Sequence, residues 1–259
     1  MISAVALVDL DDTLFQTRRK CPDDVAASDL VPFGYTADGE AISFATPKQM
    51  ALIRWLEAHT YLIAVTARST DALTRTRLHY DRAVVAHGGG IVDHHPNRPA
   101  PDRSFRASWR QRMSSSLTFD NELNRLVQEI KDEGARLGLG VRARVISEDG
   151  VPLYVVAKHA RPEGNDPELY AACAAVIAGV PSDWTVHTNG NNVAFLPPGL
   201  GKAAAVAWLI PQLRDQFGGA PVIGIGDSLT DAPYMDLCDF AMTPTASQLW
   251  AKLADAPPS

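Results

Sequence analysis

The chain has 259 residues, of which 46% are hydrophobic, and a formal net charge of -6. This length and apolar content can bury a substantial core and leave room for two domains. The negative charge argues against nucleic acid as a partner, and no stretch approaches the roughly 20 apolar residues of a membrane span. The three widely spaced cysteines suggest neither a disulfide framework nor a zinc site, and no secretion signal is apparent, so a cytoplasmic protein is expected.

Residues 5–14 begin as an apolar strand that ends in two acids. Asp9 and Asp11 lie two positions apart, so in an extended segment their side chains start on the same face. Crowded carboxylates raise each other's pKa unless a cation neutralises them, which indicates a hard metal ion or a shared proton. The alternative interpretation is structural, with residues 11–13 forming a turn and a helix cap.

An elaboration occupies residues 15–45. It carries the basic run Arg18, Arg19 and Lys20, followed by a predicted hairpin around residues 37–39 and a helix that starts near residue 46. We interpret the segment as an enlarged flap. Its basic run either holds a second anionic group of a substrate or is a solvated charge run.

The next core strand covers residues 61–65 and ends at Thr66. By itself, Thr66 would be a cap for a helix predicted over residues 69–80. Arg68 is either a ligand of a substrate or phosphate or a surface ion-pair partner. A further strand is expected at residues 82–86, and the three glycines that follow at 88–90 are predicted to form a flexible exit from the core.

The segment between Thr66 and Lys202 is far longer than a connection between core elements needs, so it must contain a domain. Within it, residues 98–116 are predicted to be a mobile edge or a solvated loop. The predicted regular elements are a helix at 119–137, hairpin strands at 141–146 and 153–157, a helix at 166–178, and strands at 184–187 and 192–196. Together they form an α+β module.

Polar residues return beyond the module. Lys202 opens a helix predicted over residues 202–213, although a lone lysine there is usually a solvated helix residue. The strand at 221–226 ends in a second acidic cluster, with Asp227 and Asp231 one turn apart if a helix begins near residue 228. Ligands of open parallel sheets bind outside the carboxyl ends of the strands, so both acidic clusters face one crevice if their strands are neighbours.

Four separated motifs, in order, resemble those of the haloacid dehalogenase superfamily of phosphohydrolases. Residues 9–13 match Asp-x-Asp-x-Thr, Thr66 matches the second motif, Lys202 the third, and residues 226–231 match Gly-Asp-x-x-x-Asp. The motifs cover only the core of the chain. One departure is Asp12, where many sugar-phosphatase relatives carry Gly.

This resemblance implies an α/β fold: a Rossmann-like, doubly wound parallel sheet with an α+β cap inserted between the second and third motifs. The core is then expected at residues 1–87 and 198–259, and the cap at 88–197. Cap placement is similar to that of Cof-like hydrolases. The strings at 226–228 and 232–235 resemble the sucrose-phosphate and mannosyl-phosphoglycerate phosphatase branches.

The four acids have interpretable roles in phosphoryl transfer. Asp9 is placed to attack a phosphorus atom and form an aspartyl-phosphate. Asp11 can protonate the leaving oxygen and then deprotonate the attacking water. A magnesium ion fits Asp9, Asp227 and the backbone carbonyl of Asp11, and Asp231 is expected to bind it directly or through water.

Thr66, Lys202 and Arg68 are expected to hold the oxygens of the transferred phosphoryl group, because this chemistry depends on positioning and charge neutralisation. The leading hypothesis is a magnesium-dependent phosphomonoesterase that acts on a small phosphorylated metabolite, and the expected class of substrate is a sugar phosphate. A sugar phosphomutase is the first alternative. A non-enzymatic phosphoacceptor or metabolite sensor is the second, and the general acid Asp11 argues against it.

Overall fold

The structure is a computed structural model that describes residues 2–93, 104–161, 166–188 and 190–255. The strands are β1 (Ala4–Val8), β2 (Gln16–Thr17), β3 (Val31–Tyr35), β4 (Ala41–Ala45), β5 (Thr60–Val65), β6 (Arg82–Val85), β7 (Gly90–Asp93), β8 (Val141–Glu148), β9 (Val151–His159), β10 (Thr185–Thr188), β11 (Val193–Leu196), β12 (Val222–Ile225) and β13 (Phe240–Met242). The helices are α1 (Pro47–His59), α2 (Thr70–Thr74), α3 (Ser104–Ser116), α4 (Asp120–Arg136), α5 (Asp166–Gly179), α6 (Lys202–Phe217), α7 (Ala232–Met235) and α8 (Gln248–Ala254).

The chain divides into two compact units. The first comprises Met1–Ser108 and Gly201–Ser259, and the second comprises Trp109–Leu200. The domain boundaries expected at residues 88 and 197 stay predictions.

A six-stranded sheet with the order β13-β12-β1-β5-β6-β7 forms the centre of the first unit. Every neighbouring pair is parallel except β6 and β7, which are antiparallel. Strands β1 and β5 are buried along their whole length, as expected for parallel strands covered on both faces. The predicted α/β class with a parallel core sheet is therefore confirmed.

The segment at 15–45 contains a small antiparallel sheet with the order β2-β4-β3. Strands β3 and β4 form the predicted hairpin, whose turn includes Gly39 at φ 83°. Helix α1 begins directly afterwards because Thr46 and Gln49 form a reciprocal capping box in front of it. The side chain of Phe15 stacks on that of Phe33, with ring centroids 5.0 Å apart.

Two elements of the first unit differ from the prediction. The helix predicted over 69–80 ends at Thr74, because the next residues pair with the hairpin: Tyr35 N donates to the carbonyl of Arg75, and Arg77 N donates to that of Phe33. The glycines at 88–90 do not form an exit. They are buried, and the last of them begins β7.

The second unit is an antiparallel sheet with the order β10-β11-β9-β8, against which α4 and α5 pack. Its core includes Leu126 and Ile130 of α4, Val155 of β9 and Phe195 of β11. The predicted α+β module is therefore present, with element bounds close to those expected. The loop predicted at 98–116 is wrong over 104–116, which form α3; residues 98–103 lie outside the described residues.

Across the described ranges, no helix combines the length and the apolar character that crossing a membrane requires.

Candidate active site

The two acidic clusters lie next to each other because their strands are neighbours. Val8, the last residue of β1, is in register with Ile225, the last residue of β12. The pairing continues one residue further, since Asp9 N donates to the carbonyl of Ile225 over 2.8 Å. The segments that carry Asp9 and Asp227 therefore leave the sheet at the same edge, as the crevice hypothesis requires.

Lys202 lies between two of these acids. Its Nζ is 2.6 Å from Asp9 Oδ1 and 2.7 Å from Asp231 Oδ1. The three side chains are at most 10% exposed. Burial acts to lower the pKa of Lys202, but the two carboxylates outweigh it and raise that pKa above its ordinary value. The lysine is therefore a fixed positive charge beside Asp9.

The second oxygen of Asp231 is also occupied. Oδ2 accepts hydrogen bonds from the backbone N of Ser228 at 3.1 Å and from its hydroxyl at 2.6 Å. Gly226 makes room for this arrangement, because a Cβ at that position would lie 2.5 Å from the Cβ of Asp231. Asp231 precedes α7, which begins at Ala232, so the two acids of the second cluster are not one turn apart on a helix that begins near residue 228. In this arrangement Asp231 orients Lys202.

Asp9, Asp227 and Asp231 form the one group of candidate metal ligands found among the described residues, and a ligand oxygen from each lies within 4.8 Å of the others. Burial, and then the charge of Asp231, raise the pKa of Asp227 to about 6. Burial raises the pKa of Asp9 to about 7; Lys202 opposes this shift, and Asp231 adds to it. A cation bound among these buried carboxylates would stabilise their charged forms.

Thr13 joins the two strand ends. Its hydroxyl is 3.2 Å from Asp9 Oδ2 and 3.4 Å from Asp227 Oδ1. It belongs to the matched motif, but its role as a bridge was not predicted, and the role of Ser228 at Asp231 was missed as well. Both are small hydroxyl residues inside the acidic motifs, which is the signal that could have identified them.

Three predicted residues remain, and two of them, Thr66 and Arg68, lie just beyond the end of the neighbouring strand β5. Thr66 follows β5, is buried, and accepts a hydrogen bond from Arg68 N through its hydroxyl at 3.0 Å. The guanidinium of Arg68 reaches Asp11, with Nε 2.8 Å from Oδ2 and a terminal nitrogen 2.7 Å from Oδ1. The structure thus brings Asp11 and Arg68 together as a bidentate pair.

Asp12 has a backbone conformation that explains the departure from Gly. Its φ is 65°, in the left-handed region that Gly adopts freely and Asp tolerates better than most residues. Its carboxylate forms an ion pair with Lys20. One residue of the basic run therefore pairs with the loop that carries the first acidic cluster.

Comparisons with known proteins find similarity at the level of structure. No protein-family model and no curated protein sequence matches the chain. A solved structure from Eubacterium rectale is 13% identical, covers 98% of this chain and 91% of its own, and has a TM-score of 0.52. A structure from Thermoplasma acidophilum is also 13% identical, with the same coverage of 98% and 91% and a TM-score of 0.51.

The sucrose-phosphatase of Synechocystis, solved with sucrose and phosphate, is 16% identical, covers 98% of this chain and 96% of its own, and has a TM-score of 0.48. At these identities the comparisons concern the fold. The structures from Eubacterium rectale and Thermoplasma acidophilum therefore show that the chain shares its fold, an α/β core sheet with a second unit between β7 and α6, with solved proteins.

Proposed function

We propose that the chain is a magnesium-dependent phosphomonoester hydrolase that acts on a small phosphorylated metabolite, a sugar phosphate, through an aspartyl-phosphate at Asp9. The observation that carries the proposal is the convergence of Lys202 and the acids of both clusters on the buried Asp9 carboxylate. Asp9 therefore has Lys202 as its charge partner, and it can share a bound cation with Asp227 and Asp231.

In the first step, a carboxylate oxygen of Asp9 attacks the phosphorus, the ester P–O bond breaks, and the leaving oxygen takes a proton from Asp11. In the second step, water attacks the phosphorus of the aspartyl-phosphate and gives a proton to Asp11. Free phosphate leaves, and the Asp9 carboxylate is restored. Lys202 stabilises negative charge on the transferring oxygens, and Thr66 is proposed to assist it.

The residues present fit magnesium. Asp9 and Asp227 supply hard oxygen donors, and the backbone carbonyl of Asp11, two residues after Asp9 in the sequence, is the third proposed donor. Asp231 completes the acidic group while it holds Lys202. When bound, the ion would supply positive charge that neutralises the phosphoryl oxygens.

Two finer parts of the proposal have support outside the site. The sugar-phosphate class rests on the resemblance of residues 226–228 and 232–235 to sugar-phosphate phosphatase branches. A cytoplasmic location is supported by Cys21, Cys173 and Cys238, which are all free thiols.

The test is phosphate release by the purified chain from a panel of sugar phosphates and other phosphorylated metabolites, with magnesium or after chelation. We expect many equivalents of phosphate per chain from at least one sugar phosphate, and no release after chelation. Isomerised sugar phosphate without free phosphate would establish a phosphomutase, and a single equivalent of bound phosphoryl group would establish a sensor. Either result contradicts the proposal, as does full activity after exhaustive chelation.

Magnesium affinity should increase with pH up to about 7. The raised pKa values of Asp9 and Asp227 mean that both carboxyls bind protons below about pH 6, and a cation must displace those protons. Each displaced proton changes the affinity about tenfold per pH unit. Titration calorimetry in two buffers of different ionisation enthalpy measures both the affinity and the number of protons released.

The variant Asp227→Ala provides the comparison. It should bind magnesium more weakly, release fewer protons and lose activity, and excess magnesium should restore little of that activity. A wild-type affinity that does not change between about pH 5 and about pH 7 would contradict the assignment of these carboxyls as ligands.

A further inference from the structure

Asp11 has to meet two different partners in the proposed hydrolysis, the leaving oxygen and then water. Its carboxylate is 47% exposed, whereas that of Asp9 is only 8% exposed. Packing alone therefore does not fix the orientation of the Asp11 side chain. An exposed aspartate explores several rotamers, and misplacement of a reacting group by about 1 Å can cost about 10²-fold in rate.

The contact that fixes Asp11 in the described structure is the bidentate pair with Arg68. Nε donates to one carboxylate oxygen over 2.8 Å, and a terminal nitrogen donates to the other over 2.7 Å. Two parallel N–H···O bonds between planar groups define the orientation of the carboxylate as well as its distance.

Arg68 is itself held firmly. Its backbone N donates to the Thr66 hydroxyl at 3.0 Å, and its carbonyl accepts from Ala86 N at 2.7 Å. Its guanidinium carbon lies 5.1 Å from the ring centroid of Phe15. The terminal nitrogen that donates to Asp11 Oδ1 also lies 3.4 Å from the Ser43 hydroxyl. The side chain is only 14% exposed. A rigid strand end and the hairpin sheet therefore both constrain the guanidinium.

We propose that Arg68 is a positioning residue that orients Asp11, and that it is not a ligand of the substrate phosphate. The guanidinium has two edges that could bind a phosphate in bidentate fashion. Asp11 occupies the edge formed by Nε and one terminal nitrogen, and the same terminal nitrogen also contacts the Ser43 hydroxyl at 3.4 Å, so the edge between the two terminal nitrogens is partly occupied as well. This inference rests on the proposed function, because it assigns Arg68 a role through the general acid and base of that reaction.

A double-mutant cycle over Arg68→Met and Asp11→Asn tests the inference, with p-nitrophenyl phosphate as substrate and inorganic phosphate as competitive inhibitor. Arg68→Met should lower kcat about 10²-fold while KM and the inhibition constant of phosphate change less than about twofold. In the Asp11→Asn background, the same change at Arg68 should alter kcat less than about twofold, because Arg68 acts only through the Asp11 carboxylate.

Two further variants complete the experiment. Arg77→Met is the matched control, since the guanidinium carbon of Arg77 lies 5.4 Å from the ring centroid of Tyr35 and removing it should leave kcat unchanged. Arg68→Lys keeps the charge without the planar fork, and we expect an intermediate kcat. If Arg68→Met does not fold in a thermal unfolding assay, the cycle is measured with Arg68→Lys.

The inference is overturned if the two changes are additive, or if the inhibition constant of phosphate rises tenfold or more in the Arg68 variant. In both cases a wild-type chain with normal turnover would leave the proposed function standing. A wild-type chain that releases no phosphate would overturn the proposed function and this role of Arg68 with it.

Discussion

Asp9→Asn should abolish hydrolysis and leave the fold intact, with a fall in kcat on the order of 10⁴-fold or more. The amide has nearly the size of the carboxyl group, but it cannot attack phosphorus and form the acyl phosphate. Because Asp9 is buried and its carboxylate is disfavoured by burial, we expect the thermal midpoint of the variant to stay near that of the wild type or above it.

The measurement is steady-state phosphate release in magnesium, together with circular dichroism and thermal unfolding. Asp38→Asn is a matched control, since the same chemical change is made in the exposed turn of the hairpin. It should retain wild-type kinetics. Near-normal turnover of Asp9→Asn would remove Asp9 from the mechanism.

Lys202→Met should have the second largest effect, a decrease in kcat/KM of about 10² to 10³-fold. The variant keeps most of the side-chain stem but loses the charge that lies 2.6 Å from Asp9 and 2.7 Å from Asp231. Two buried acids then face each other without a cation. We expect a loss of stability of about 3 to 5 kcal/mol, part of which magnesium restores.

Kinetics and thermal unfolding, each with and without magnesium, separate the two effects. Lys48→Met, at an exposed position in the first turn of α1, controls for the loss of a lysine and should change neither. If Lys202→Met retained wild-type kcat/KM, the charge would not serve the reaction, and the lysine would only compensate the buried acids.

The core of the fold could be predicted because its signals are local. Strands β1, β5 and β12 are short apolar runs, and each is followed within a few residues by Asp or Thr. The same short segment of sequence therefore indicates the strand, the edge of the sheet at which it ends, and the candidate site residue. The elements of the second unit can be predicted in the same way: α4 has its apolar residues on one face, and the Asp149-Gly150 pair marks the turn between β8 and β9.

The wrong predictions have two causes: contacts between residues distant in the sequence, and a helical periodicity of apolar residues that was not recognised. Helix α2 stops at Thr74 because the residues after it pair with β3. Helix α3 was missed although Trp109, Met113 and Leu117 recur at a helical spacing of four and are buried; the many Arg and Ser residues between them obscured the pattern.

The partnerships within the site could not have been predicted. Asp11 and Arg68 are 57 residues apart in the sequence, and Lys202 and Asp9 are 193 apart. A motif identifies such residues one at a time, but only the folded sheet shows which side chains meet. The sequence leaves Arg68 open between a ligand of a substrate or phosphate and a surface ion-pair partner, and the structure shows an ion pair, with Asp11.

The central claim is that Asp9 carries the phosphoryl group during turnover, and trapping that intermediate tests it most directly. Turnover of p-nitrophenyl phosphate is quenched in acid, the acyl phosphate is reduced with borohydride to homoserine, and the tryptic peptide of residues 1–18, which contains Asp9, Asp11 and Asp12, is sequenced by mass spectrometry. We expect homoserine at position 9 in the wild type and none in Asp9→Asn. Homoserine at position 11 or 12, with Asp9 unmodified during normal turnover, would contradict the account.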